Sequence, residues 1–127
     1  GEQGLVLRLR AWLRRTLRED DRLVCPLTLG NHVDHRLARS AVEGLRRPIY
    51  FYADYPYVAR DSLHLPLGLP ADQICRQPVS EQGLLAWQES VAAYATQVGD
   101  LFGTDERMRA GLRDFWSGGG GSLLWQI

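Results

Sequence analysis

Two short apolar runs, "RLVCPL" (22–27) and "PIYFYAD" (48–54), are separated by one stretch of helical period. That spacing constrains the fold more than any other feature of the chain. The second run is rich in β-branched and aromatic residues, and the first ends at Pro26, so both read as short strands. Between them Leu37, Ala38, Ala41, Val42 and Leu45 recur every three to four residues, which predicts a helix from about Asp34. Gly44 and Pro48 stop that helix near Gly44 to Arg46. Strand, helix, strand with short joints is an α/β unit whose two strands pair in parallel.

The rest of the chain extends this alternation. Leu5, Leu9, Trp12, Leu13 and Leu17 mark an amphipathic helix over 4–19. Its arginines Arg8, Arg10, Arg14, Arg15 and Arg18 read as a solvated face. Residues 55–80 carry four prolines and read as a long irregular connection, the kind of loop that is functional or mobile. Ser80 caps a long helix over 81–102 that buries Leu84, Leu85, Trp87, Val91, Tyr94, Val98 and Leu101, and a shorter helix covers 104–116. Residues 117–122 are a flexible Gly-rich loop, followed by a short apolar end suited to an edge strand.

At 127 residues the chain supplies one domain at most. Its fifteen basic residues are all arginine and are balanced by fifteen acids, so no net field favours nucleic acid or anionic lipid. Cys25 and Cys75 lie far apart without a C-x-x-C, which points away from a disulfide framework or a zinc ribbon, and Cys25 in its apolar run reads as a core thiol. No segment reaches the roughly 18 apolar residues of a membrane span, and no signal peptide is visible. The expected address is the cytoplasm. The sequence begins at Gly1 and its one methionine is Met108, so a front end is expected elsewhere.

The chemistry-bearing stretch is "GNHVDH" (30–35), at the joint between the first strand and its helix. In open α/β sheets such joints are where ligands collect. His32 in the loop and His35 in the first helical turn can face one pocket, with Asp34 as helix cap or as the orienting partner of an imidazole. Gly30 allows a close backbone approach. Imidazole can ligate zinc or donate a proton to a developing oxyanion, although for an arbitrary H-x-x-H a polar surface or a cap is the commoner explanation. His64, the third histidine, reads as an ordinary loop residue.

Several motifs in order carry a resemblance. "GNHVDH", the helix after it, "PIYFYADYPYV" (48–58), "SVAAYATQV" (90–98) and a closing apolar segment with Leu124 and Trp125 together resemble the second half of the PIG-L/LmbE-like family of zinc-dependent N-acetylglucosaminyl deacetylases. That family carries G-x-H-x-D-H, then y-f-Y-e-d-x-P-Y, then A-x-x-x-Y-x-S-Q, where this chain has Thr96 for the serine. The resemblance covers about residue 22 to the end. It implies a Rossmann-like, mostly parallel sheet flanked by helices, present as its C-terminal part. It also implies an enzyme that uses zinc-activated water to remove acetyl from an N-acetylated sugar conjugate. His35 is then the zinc ligand of this half, His32 the imidazole acting on the oxyanion, and Asp34 the carboxylate that tunes it. Asp54 and Tyr57, with Tyr52, fall on positions that shape the sugar pocket, where ordinary packing explains them equally well.

One departure is large. The family's A-H-P-D-D-E motif, which brings two further zinc ligands and the general base, is not among these 127 residues. The isolated chain is therefore expected to be inactive and to associate with the missing half or with itself. The alternative is a non-catalytic scaffold or binding domain that has lost the rest of the site.

Overall fold

Leu23–Pro26 (β1) and Ile49–Tyr52 (β2) pair in parallel, in the register Leu23 with Ile49 and Pro26 with Tyr52. The helix Val33–Glu43 (α2) bridges them, as the periodicity requires. The computed structural model describes residues 1–60 and 64–127. They form two compact units: residues 1–75 with 124–127, and residues 76–123. The part of the long connection at 61–63 lies outside the described residues.

In the first unit Glu2–Thr16 (α1) packs on α2. The contact is partly electrostatic. Arg10 donates to the carbonyls of Ser40 and Ala41, and Arg14 to that of Gly44, so two cations of α1 satisfy the carbonyl end of α2. Arg47 likewise donates to the carbonyls of Arg18, Glu19 and Asp21 and ties down the turn into β1. Of the arginines expected on a solvated face, Arg10 and Arg14 therefore act instead as backbone clamps.

The sheet has four strands in the order β1, β2, β4, β3, where β3 is Ile74–Arg76 and β4 is Leu123–Gln126. β2 and β4 are antiparallel, with Phe51 opposite Trp125. The fold is thus α/β with a small mixed sheet flanked by helices. Two expectations are corrected. The closing segment is an inner strand rather than an edge, because Trp125 is buried beside Phe51. β3 lies within a stretch read as irregular; three residues between prolines are too few for a periodic signal.

Leu23, Cys25, Phe51 and Trp125 form the buried side of the sheet, while Val24 on the other face of β1 is 51% exposed. Cys25 is 2% exposed. Burial pushes its thiol up to about 11; the Arg39 guanidinium opposes this, and Glu43 and Asp54 add to it. The folded thiol thus holds its proton more tightly than the unfolded one, whose ordinary value is 9.0. The resulting stability is fully present below pH 9 and is lost as pH rises toward about 11. A fall on the order of 3 kcal/mol across that window is expected in urea titrations. Cys25→Ala should flatten that part of the curve, and an unchanged slope in the variant would show that another group governs it.

The second unit is helical. Glu81–Ala92 (α3), Ala95–Phe102 (α4) and Asp105–Ser117 (α5) surround Leu84, Val98, Met108 and Leu112. Ser80 caps α3 by accepting the N–H of Gly83, as expected. The single helix expected over 81–102 is broken at Tyr94, whose φ of −95° and ψ of 57° are not helical. A straight helix would hold Leu84 and Val98 about 21 Å apart along its axis; the break lets both join one core. Leu85 and Tyr94, expected inside, are exposed, because the buried face of α3 runs through Leu84 and Gln88. The Gln88 amide is accommodated by donating to the Arg109 carbonyl. After α5 the glycine run is a set of tight turns, with Gly119 and Gly121 at positive φ. No helix among the described residues is long and apolar enough to cross a membrane.

Candidate functional site

The joint after β1 is conformationally unusual. Thr28, Gly30 and Asn31 have φ of 66°, 74° and 58°, so three of four successive residues are left-handed. For a β-branched threonine that region is strained, which requires compensation nearby. Asp54 supplies it. Two residues beyond β2, it is 1% exposed, and its Oδ2 accepts the N–H of Leu29 at 3.1 Å. Burial raises its carboxyl above the ordinary carboxylate value; His35 and the backbone N–H groups of Leu29, Thr28 and Asp54 itself counteract this.

Oδ1 of the same carboxylate lies 2.6 Å from Nδ1 of His35. The ring N–H is not aligned with that oxygen well enough for a hydrogen bond, and both atoms are sealed from solvent. Two bare lone pairs at that separation would repel, so the contact calls for a proton on one of the two atoms. With Nδ1 buried and the side chain still 30% exposed, the accessible part of the His35 ring is the edge away from Asp54.

His32 is the N-cap of α2, a role expected for Asp34. Its Nδ1 accepts the N–H of Asp34 at 3.3 Å. That bond requires an unprotonated Nδ1, so the neutral ring carries its proton on Nε2. The Asp34 carboxylate is solvent-exposed and 3.9 Å from the same Nδ1. It acts on the helix as a first-turn acid and reaches His32 only through space.

The rings converge. Those of His32 and His35 are 5.2 Å apart between centroids, and the Tyr57 ring stands 6.0 Å from His35, edge-on, and 6.4 Å from His32. Tyr57 opens a single 3₁₀ turn, Tyr57–Ala59, and rests against Gly30. A Cβ on Gly30 would collide with the tyrosine ring, and the positive φ adds strain. Gly30→Ala should cost about 2 kcal/mol or more and displace Tyr57. A stability loss below about 0.5 kcal/mol with unchanged Tyr57 ring shifts in NMR spectra would refute this packing.

Of the sequence-selected residues, His32, His35 and Tyr57 thus share one surface, Asp34 lies at its solvent margin, and Asp54 is beneath it. Tyr52, in β2, is 37% exposed, with its hydroxyl pushed above its ordinary value by burial and by Asp54. His64 helps line a cleft of about 660 Å³ that borders the 28–31 loop of the site and also includes Arg39 and Ile127. Among the described residues no three His, Cys, Asp or Glu side chains are grouped to hold a metal. The donor set fits a single imidazole ligand from this chain, His35, backed by a carboxylate. The 28–31 loop and the link from Asp54 to His35 were not anticipated, although the β1–β2 register carries a signal for them. An offset of 26 between Leu23 and Ile49, extended beyond the strands, sets Asp54 level with Thr28. No family model, curated protein or solved structure matches this chain.

Proposed function

We propose that this chain is the C-terminal part of a zinc-dependent deacetylase that removes acetyl from an N-acetylglucosaminyl conjugate. The observation that carries the reading is the pairing of two differently wired imidazoles. His35 has its Nδ1 edge on a buried carboxylate, and His32 has its Nδ1 on a helix N–H. The first arrangement suits a ligand presenting Nε2, and the second suits a donor presenting Nε2–H. The order of the sequence motifs supports the same family.

In this reading His35 would hold zinc, with the remaining ligands and the general base coming from the part that carries A-H-P-D-D-E. Zinc, when bound, supplies the electrophilic activation of water and of the acetyl carbonyl. His32 Nε2–H donates a hydrogen bond to the carbonyl oxygen as negative charge develops there, and the departing amine takes the proton that the general base of the other part removes from water. Tyr57 walls the sugar pocket. The complete domain would extend the small mixed sheet into a Rossmann-like, mostly parallel one in the cytoplasm. β1 lies at one end of the strand order with Val24 exposed, which supports a further partner for that edge, either the missing half or a second copy.

The test is acetate release. The chain combined with the A-H-P-D-D-E part and zinc should release acetate from one of a panel of N-acetylglucosaminyl conjugates with inositol, lipid or thiol-precursor acceptors. The isolated chain should release none and should bind zinc weakly, since affinity comes from several ligands held together. No acetate from the complete, zinc-loaded protein across that panel would end the proposal.

A further inference from the structure

We propose that Asp54 is a positioning residue that sets both imidazoles of the site at once. It fixes His35 as the Nδ1–H tautomer with a bare Nε2, and it holds the left-handed loop that delivers His32. The metal arm of this inference rests on the deacetylase reading; the tautomer arm does not.

Two carboxylates are candidates for such a role, and their settings differ. Asp34 is solvated and 3.9 Å from His32, a separation at which water competes for it. Asp54 is 1% exposed, and each of its oxygens faces one part of the site: Oδ1 faces His35 Nδ1, and Oδ2 accepts from Leu29. Burying a carboxylate is costly unless its partners compensate it. A structural clamp on the loop would need only Oδ2. The 2.6 Å approach of Oδ1 to the imidazole, sealed from water, is what a clamp does not explain.

The same residue also links the histidines mechanically. The N–H that Asp54 accepts belongs to Leu29, inside the Thr28–Asn31 turn, and His32 follows that turn directly. The carbonyl of Asp54 accepts the N–H of Val58, next to Tyr57. All three rings of the site are therefore referenced to one side chain and its own backbone.

Asp54→Asn separates positioning from clamping. The amide keeps the size and an oxygen for Leu29, but its other end is an NH₂, which donates rather than accepts. In ¹⁵N-labelled chain above pH 8, long-range ¹H–¹⁵N correlation spectra should report His35 as Nδ1–H in the wild type and as Nε2–H in Asp54→Asn. His32 should stay Nε2–H in both, and the Leu29 amide should stay protected from exchange. In the complete protein, chelator competition with Zn²⁺ should show about a 10–100-fold weaker site in the variant. Nε2–H at His35 in the wild type would overturn the proposal whether or not the variant folds. An unchanged tautomer in a folded variant would overturn it as well and leave Asp54 a loop clamp. A tautomer switch in a protein that releases no acetate and binds no zinc would uphold Asp54 as the positioning residue and sink the deacetylase reading alone.

Discussion

If the complete protein is the zinc-dependent deacetylase proposed above, His32→Ala is expected to lower kcat by about a hundredfold or more while zinc content stays unchanged. The KM should move far less, because in the proposed mechanism the contact of His32 Nε2–H with the carbonyl oxygen strengthens as charge develops. His35→Ala should behave differently and remove most of the zinc together with the activity. The two rings are only 5.2 Å apart, so proximity does not separate these outcomes; their wiring does. His32 has Nδ1 committed to the Asp34 N–H, and His35 has Nδ1 against Asp54. Asp34→Asn should retain zinc, since the solvated Asp34 carboxylate touches His32 only through space, 3.9 Å away. Zinc lost on replacing His32 and kept on replacing His35 would reverse the assignment. Full activity in both variants would reduce the stretch to a helix cap.

The second large effect concerns the sheet. Trp125 is 6% exposed on an inner strand, opposite Phe51. Trp125→Ala removes the largest side chain of that layer and leaves a hole between neighbours fixed by backbone pairing, so the site cannot collapse freely. The expected cost is about 3–5 kcal/mol. Against a typical domain stability of about 5–15 kcal/mol, that lowers the urea midpoint of the far-UV circular dichroism transition severely. Val24→Thr, on the exposed face of β1, keeps the β-branched shape and should change stability by less than about 1 kcal/mol. Equal effects from the two substitutions would mean that the sheet is not packed as described.

The strand–helix–strand unit was legible because two short apolar runs flank one stretch of 3.6-residue period within about thirty residues, punctuated by Pro26, Gly44 and Pro48. β3 was not, since Ile74–Arg76 is too short to repeat anything. The break at Tyr94 was equally hidden: Ala93, Tyr94 and Ala95 include no helix breaker, and the bend answers to the packing of Leu84, Val98 and Met108. At the site, residue types and spacing singled out His32 and His35. Which carboxylate serves which ring is a tertiary matter. Asp34 is the neighbour in sequence, whereas Asp54 becomes the neighbour of His35 only once β1 and β2 align. The N-cap shows the same limit, because Asp34 is a good capping type but the helix starts two residues before an Asp34 cap would set it, with His32 as the cap and Val33 as the first helical residue.

The strand order has a consequence for how the chain is assembled in time. β1 and β2 can pair as soon as residue 52 has been made, since only the local crossover through α2 separates them. β3 then has no hydrogen-bonded neighbour until β4 arrives, and the whole helical excursion from Arg76 to Leu123 is synthesised first. During translation the nascent sheet therefore presents the open side of β2, with Tyr50 and Tyr52, to chaperones or to other chains. Closure of this sheet is a non-local event, the insertion of residues 124–126 between two strands already made, and such closures are slow. Replacing residues 124–126 by a segment unable to pair would halt the process there, with β2 still open and β3 still without its neighbour.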